Sequence, residues 1–363
     1  MRILLLNNNF TGAYGSQEIF LQEIYHSLRL EGFEVFISES VEESIKYLRH
    51  KGIDLSIGMG QYLQYIGKKP LYELFKTPHY QWIIDNPCKV GYDKQSQFIK
   101  YLIIDREFEL LMSSAVHKTF FASLGVPEEN NSAIDMKNKK DGLVFSGQIR
   151  NSFDLKQAIT CHKEKKRLVR ITESLMERLD NSFIQIFCNE TKDVDDILRQ
   201  KLFPILNSFF RAYKREYVIS HITEYPVTII GDVQNKQILA QKNITCLGAM
   251  PYQTAARKIS EYKYALDVEP NFKSGVHDRV ARTALNGTLP IANHSQYLQD
   301  LFGENILFYC YADIADIENK ILNCDPESFE CRIENMQKII VENFSWSALL
   351  KHIINDFNKT FRI

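Results

Sequence analysis

The stretch Asp267–Asn293 reads DVEPNFKSGVHDRVARTALNGTLPIAN. Its apolar start ends at Val268, where the spacing predicts the close of a strand. A polar loop follows and carries Lys273, Ser274 and Gly275. A helix is predicted from about Val276, with Val280, Ala281, Ala284 and Leu285 at helical spacing. Gly287 stops it, and Leu289-Pro290-Ile291 opens the next strand. A strand, a helix and a strand joined by short loops form a right-handed crossover, and hence a parallel pair. The helix start offers unpaired N–H groups and a partial positive charge. Gly275 allows a close backbone approach there, and Lys273 and Arg279 add two cations. Arg282, three residues after Arg279, shares its face. This is a candidate seat for a phosphate-bearing ligand, and an ordinary surface helix with solvated arginines is the other reading.

The same alternation extends outward. Arg2–Asn7 reads as a buried parallel strand. Ser16 is the expected N-cap of a helix carrying Ile19, Phe20, Ile24 and Leu28. Strand, helix and strand follow at Phe33–Ser38, Val41–His50 and Asp54–Ile57, with further strands at Tyr80–Ile84, Tyr101–Ile104 and His117–Ala122. Residues 127–141, PEENNSAIDMKNKKD, are polar and read as a linker. The pattern restarts at Gly142–Ser146. Residues 153–225 are charged and mostly helical. Strands return at Val227–Ile230, Thr245–Leu247, Tyr264–Val268, Leu289–Ala292 and Leu307–Tyr309. A final helix places Trp346, Leu349, Leu350, Ile353 and Ile354 on one face. The expected fold class is α/β, with two doubly wound domains, a helical insertion in the second and a helical tail.

Composition narrows the function. With 44 Lys+Arg against 45 Asp+Glu, the net charge of -1 argues against a generally polycationic nucleic-acid binder. No apolar run approaches the ~20 residues of a membrane helix. The opening MRILLLNNNF is too short for a signal-peptide core, so a cytoplasmic location is expected. The seven cysteines are widely spaced, with no CxxC, which speaks for buried thiols over zinc or a disulfide framework. The basic run KEKKRLVR at 163–170 reads first as a solvated helix face, with a nucleic-acid or anionic-membrane contact as the alternative.

Other chemistry-bearing residues fall just past strand ends, where open α/β sheets bind ligands. Gly147 and Arg150 follow one strand, and Gly231-Asp232 another. Gly248, Met250, Pro251 and Tyr252 follow a third, and Glu269 sits just after Val268. In the first half, Gly12 and Tyr14 lie in the loop after the first strand, which lacks the GxGxxG dinucleotide fingerprint. Asp85, after an aromatic strand and before Pro87, is the candidate general base. His79 precedes that strand.

The run Gly275-Val276-His277-Asp278-Arg279-Val280, then Ala284 and Gly287 before Leu289–Asn293, resembles the donor-site signature of group 1, GT-B-type glycosyltransferases. Within that group it resembles the subgroup related to the spore-maturation protein CgeB. The segments Trp82–Pro87 and Phe145-Ser146-Gly147 agree with this. The resemblance implies an acceptor-side Rossmann-like domain over 1–130 and a nucleotide-sugar-binding domain over 141–340. It also implies a tail over 341–363 that packs back on the first domain. A sugar would pass from a nucleotide-sugar to an unknown acceptor: a glycan, a lipid-linked glycan or a protein. Asp85 and His277 would be catalytic. Gly147, Arg150, Gly248, Met250, Pro251, Tyr252, Glu269, Lys273, Ser274, Gly275, Arg279 and Arg282 would face the donor, with Gly12, Tyr14 and His79 on the acceptor side. No cofactor, metal or nucleic acid is expected, and a peripheral membrane or protein contact stays open. Two departures stand out. Where many group 1 enzymes place a pair of glutamates, one of them on the ribose, this chain has Ser274 and Arg282. Nor does Asp193-Val194-Asp195-Asp196, in the helical region, read as a metal motif. Two further readings share the architecture: a sugar-nucleotide epimerase using Asp85, Glu269 and His277, and a degenerate, non-catalytic binding protein.

Overall fold

The computed structural model describes residues 1–7, 15–60, 63–84, 87–89, 96–112, 118–128, 138–269 and 271–361. The chain divides into two units: Met1–Glu129 with Val341–Ile363, and Asn130–Ile340.

The first unit begins with β1 (Arg2–Leu6), α1 (Ser16–Leu30), β2 (Glu34–Ser38), α2 (Val41–His50) and β3 (Leu55–Met59). A small ribbon of β4 (Tyr65–Ile66) and β5 (Lys69–Pro70) follows, then α3 (Leu71–Phe75), β6 (His79–Ile83), β7 (Ile99–Ile103), α4 (Phe108–Leu111) and β8 (Thr119–Phe121). Six strands form one sheet in the order β2-β1-β3-β6-β7-β8, every pair parallel. A parallel sheet needs apolar residues on both faces, and RILLL supplies them with four buried positions in five. Helix α1 starts at Ser16, so the N-cap is Gly15, in the left-handed region at φ 83°, and not the serine. The small ribbon had no counterpart in the sequence reading, because two-residue strands carry no periodicity.

The second unit contains β9 (Lys140–Ser146), α5 (Ser152–Thr160), α6 (Lys165–Glu177), α7 (Phe183–Glu190), α8 (Asp196–Ser220), β10 (Val227–Ile230), α9 (Lys236–Leu239) and β11 (Ile244–Gly248). It continues with α10 (Tyr252–Ile259), β12 (Tyr262–Asp267), α11 (Asp278–Leu285), β13 (Leu289–Asn293), α12 (Gln296–Phe302), β14 (Leu307–Tyr309), α13 (Asp316–Leu322) and α14 (Pro326–Phe344), which runs on into the first unit. The sheet order is β11-β10-β9-β12-β13-β14, again all parallel. The chain reverses direction across the sheet between β9 and β12, so the crevice beyond their carboxyl ends is the expected ligand seat. The polar stretch 127–141 lies largely outside the described residues, and β9 begins inside its end. Asp195 of the acidic run caps α8 through Leu198 N at 2.8 Å. Asp193 pairs with Arg167 at 2.8 Å. Both carboxylates have structural roles.

The closing helix α15 (Trp346–Phe361) packs within the first unit. The Trp346 ring stands edge-on to Trp82 at 5.5 Å, and its Nε1 donates to Glu23 Oε2 at 2.7 Å. A Cβ on Gly125 would lie 2.3 Å from the same ring. Asp356 accepts from Tyr80 Oη and forms an ion pair with Lys100 at 2.7 Å. The helix thus contributes a large part of the first unit's core. Replacing Trp346 by Ala removes a fully buried indole and is expected to cost about 3–5 kcal/mol. Gly125→Ala should cost about 1–3 kcal/mol through overpacking. Urea unfolding followed by tryptophan fluorescence checks the second, and circular dichroism the first. A cost below about 1 kcal/mol for Trp346→Ala would show that the helix is dispensable to the unit.

Candidate functional site

Three backbones converge at the carboxyl edge of the second sheet. Gly147 N donates to Ile230 O at 2.9 Å, and Gly231 N donates to Gly248 O at 2.9 Å. A Cβ on Gly231 would stand 2.3 Å from Gly147 O, so a side chain there would force the loops after β9 and β10 apart. Gly248 takes φ 74°, which glycine adopts without penalty. Pro251 is the N-cap of α10. Met250 is half-buried and packs against a core cluster that includes Ile230 and Ile259.

Beyond β12 lies a dense ionic cluster. The Glu269 side chain is only 2% exposed and pairs through Oε1 with Arg215. Its Oε2 lies 3.4 Å from Arg211. Arg279 Nη1 reaches Asp267 Oδ1 at 2.9 Å and Glu269 Oε1 at 3.5 Å. Arg215 also donates through Nη1 to Gln148 O at 2.8 Å. Burial raises the Glu269 pKa, but attraction from Arg211, Arg215, His277 and Arg279 outweighs it, and the result is below the ordinary 4.5. Burial lowers Arg215 to about 10, opposed by Glu269, so it keeps its charge at neutral pH. Burial raises Asp267, against the pull of Arg279. The arginines come from α8 and α11, far apart in the chain, and periodicity gives no sign that Arg211 and Arg215 turn inward to this edge.

The remaining donor-side residues take definite places. His277 is the N-cap of α11, so the helix starts two residues later than the spacing predicts. His277 Nδ1 lies 3.1 Å from Arg279 N and 3.1 Å from Asp278 Oδ1. It accepts from that amide and so caps the helix. Lys273 Nζ donates to Asn293 Oδ1 at 2.6 Å and to His294 O at 2.7 Å, which anchors the loop to the end of β13. Arg282 lies over the Tyr252 ring at 5.8 Å and 3.7 Å from Asp278 Oδ2, and Tyr252 Oη donates to the same oxygen at 3.0 Å. Ser274 is half-buried and Gly275 buried in the loop before α11. Arg150 is exposed in the loop between β9 and α5, and among the described residues its guanidinium has no partner. Four buried polar atoms near this edge lack a hydrogen-bond partner: Arg211 Nε, Glu269 Oε2, Asn271 Oδ1 and Tyr311 Oη.

Glu269 is not placed to hold a ribose. Its carboxylate is closed over by arginines. His79 is likewise displaced from an acceptor role. It opens β6, at the amino edge of the first sheet, and is buried. Its Nδ1 meets Ser56 Oγ at 2.9 Å and its Nε2 meets Gln81 Oε1 at 3.0 Å. Burial lowers its pKa to about 4, so it is a neutral structural group. Asp85, Gly12 and Tyr14 lie outside the described residues. Among the described residues no three His, Cys, Asp or Glu are grouped to hold a metal ion.

No protein-family model matches the chain, and no curated protein matches it in sequence. Solved structures match it along its length. AviGT4, a glycosyltransferase involved in avilamycin A biosynthesis, aligns with a TM-score of 0.58, covering 99% of this chain and 98% of that one at 11% identity. Sucrose-phosphate synthase from Thermosynechococcus elongatus gives 0.56, covering 100% and 99% at 11% identity. Anabaena HepE, solved with UDP and glucose, gives 0.54, covering 99% and 100% at 10% identity. The fold is GT-B. In that fold the second unit's β9/β12 crevice is one of two comparable sheet edges, and it is the one that carries the arginine cluster.

Glu269→Gln would leave three guanidinium groups facing a neutral amide in a buried setting. At neutral pH it is expected to cost about 3–5 kcal/mol. A carboxylate with a depressed folded pKa stabilises above its unfolded value, near 4.5 here, and the contribution fades as pH falls through the folded value. The gap between wild type and Glu269→Gln should therefore be full at pH 7 and narrow in acid. Urea unfolding over a pH series checks this, and a gap constant into acid would show that Glu269 is not ionised in the fold.

Proposed function

We propose that this protein is a glycosyltransferase that moves a sugar from a nucleotide-sugar to an acceptor hydroxyl, with side-chain cations and backbone amides in place of a metal. The observation that carries this reading is the β9/β12 crevice of a GT-B fold, built from close-approaching glycines and fronted by Arg150, Arg279 and the start of α11. Cleavage of the C1–O bond leaves negative charge on the departing nucleoside diphosphate. Donors fixed around that oxygen lower the barrier without reorganising. Arg279 and Arg215 are held in place by Glu269 and Asp267, which is the kind of preorganisation that term requires. The base would lie by Gly248–Tyr252 and the acceptor in the first unit, with Asp85 as base if the reaction inverts. The motif around His277 and Arg279 supports placing the chain near the CgeB-related subgroup. The orphaned Arg211 Nε, Asn271 Oδ1 and Tyr311 Oη also fit a ligand-binding edge, since an unmade buried hydrogen bond costs about 1–3 kcal/mol that a ligand would recover.

The epimerase reading is weaker. It needs carboxylates accessible to a sugar ring, and Glu269 is enclosed by arginines. The missing glutamate on α11 is not replaced by Arg282, because a guanidinium donates and cannot accept from ribose hydroxyls. Arg282 sits on Tyr252 and Asp278, so it shapes the wall by the base.

Arg150 gives the sharpest test, because its side chain is exposed and makes no contact that the fold depends on. Arg150→Ala is expected to weaken nucleoside diphosphate binding about tenfold or more, with unfolding unchanged, from the loss of one charge-assisted phosphate contact. Isothermal titration with UDP, GDP, ADP and dTDP measures it. If no nucleoside diphosphate binds the wild type, the transferase reading fails. Unaltered affinity in the variant would remove Arg150 from the site.

A further inference from the structure

Helix α8 turns one face toward the carboxyl edge of the second sheet. Asn207, Phe210, Arg211, Lys214 and Arg215 fall on it at helical spacing. Arg215 pairs with Glu269 and donates to Gln148 O, and Arg211 faces the same carboxylate. Lys214 has no such partner. It is 1% exposed, and its Nζ lies 4.5 Å from the centroid of the Phe210 ring and 4.6 Å from that of Tyr311. Among the described residues it makes no ion pair and no hydrogen bond. The carboxylate whose attraction it feels is Asp180, and that group is occupied. Asp180 accepts from Tyr311 N at 3.0 Å, from Asn293 Nδ2 at 3.1 Å and from Ala312 N at 3.3 Å.

A fully buried lysine is almost always paired, because an ammonium taken out of water loses more than two aromatic faces return. Burial pushes the Lys214 pKa well below the ordinary 10.5, and Lys273 pushes it the same way against the pull of Asp180. An anion set against Nζ would reverse that shift by holding the ammonium form. Two further buried atoms by this face lack a partner: Arg211 Nε, a donor, and Asn271 Oδ1, an acceptor. Asn271 is tied to α8 through Nδ2, which donates to Asn207 Oδ1 at 2.8 Å. Lys214 and Arg211 call for an anionic oxygen, while Asn271 calls for a hydroxyl. An ionised diphosphate has no hydrogen to give Asn271. A sugar acid supplies both groups.

Strand order says which end of a donor would reach this place. With the transferase reading above, on which this inference rests, the base lies by the loop after β11 and the diphosphate over β9 and β12. The sheet runs β11-β10-β9-β12-β13-β14, so a donor laid along its edge carries its sugar toward β13 and β14. Tyr311, whose ring lies against Lys214, follows β14 by two residues, and Asn271 lies in the loop between β12 and α11.

We propose that Lys214 binds an anionic group on the donor's sugar and that the donor is a nucleotide-activated hexuronic acid. Its carboxylate meets Lys214 Nζ and Arg211 Nε, and a ring hydroxyl donates to Asn271 Oδ1.

Calorimetric titration of the full chain with matched donors tests this. The pairs are UDP-glucuronate with UDP-glucose, GDP-mannuronate with GDP-mannose, and the ADP and dTDP glucuronates with the corresponding glucoses. For the base that binds, the hexuronate is expected to bind at least about tenfold tighter than the neutral hexose, the worth of one charge-assisted contact. In Lys214→Met that ratio of affinities should fall to about one. Methionine keeps the length of the side chain and its contact with both rings, so the variant is expected to fold. A variant that only damaged the site would weaken both donors alike and leave the ratio standing. Equal or weaker binding of the hexuronate by the wild type overturns the proposal without recourse to a variant. So does a preference that survives Lys214→Met. If nucleoside diphosphates bind and no hexuronate is preferred, the transferase reading stands and the sugar assignment alone falls. If no nucleoside diphosphate binds, the transferase reading fails and the assignment falls with it.

Discussion

The Glu269 carboxylate ties together three parts of the second unit that are distant in sequence. It sits just past β12, accepts from Arg215 of α8, and lies within reach of Arg279 of α11. Arg215 in turn donates to Gln148 O in the loop after β9. Each charge alone would be expensive to bury, and together they compensate. Their mutual geometry then sets where the α11 start, the Gly147 loop and the insertion helix meet. A buried pair of this kind is weak support for stability taken alone. Its role here is positional: it holds cations rigidly at a sheet edge where a ligand phosphate would need them.

The first unit has a different keystone. Its sheet is completed by a helix contributed from the far end of the chain. Trp346 fills a space against Trp82 and Gly125. Asp356 answers Lys100 and Tyr80. Burial and the neighbouring Asp356 both raise the Tyr80 pKa, so that hydroxyl stays a donor throughout the working range of pH. This unit therefore depends on residues that arrive only after the second unit has been passed, which couples its folding to a long chain closure.

The two units also divide their charged groups differently. In the second, cations are gathered at the carboxyl edge and locked by carboxylates, an arrangement suited to a diphosphate. In the first, the described ion pairs are scattered, among them Arg2–Glu34 and Lys100–Asp356.

Much of the fold was legible in the sequence because it rests on local patterns. Short apolar runs such as RILLL and GLVFS, turns at Gly32 and Gly287, and helical spacing between them specify alternating strands and helices, and hence parallel sheets. The Gly275–Arg279 run and the glycines at the ends of β9, β10 and β11 pointed to the carboxyl edge of the second sheet, since glycine marks places where backbone must come close. Nothing in the sequence placed Arg211 and Arg215 there. They lie on a long helix with charged residues on several sides, and only packing decides which of these turn inward. His79 and Glu269 show the same limit from the other direction. Their positions near strand ends suggested contact with substrate, but Ser56 and Gln81 enclose one and three arginines the other. Local sequence fixes backbone conformation through sterics and periodicity. Whether a polar side chain faces a ligand or a buried partner depends on which distant residues fold against it, and that belongs to the tertiary structure.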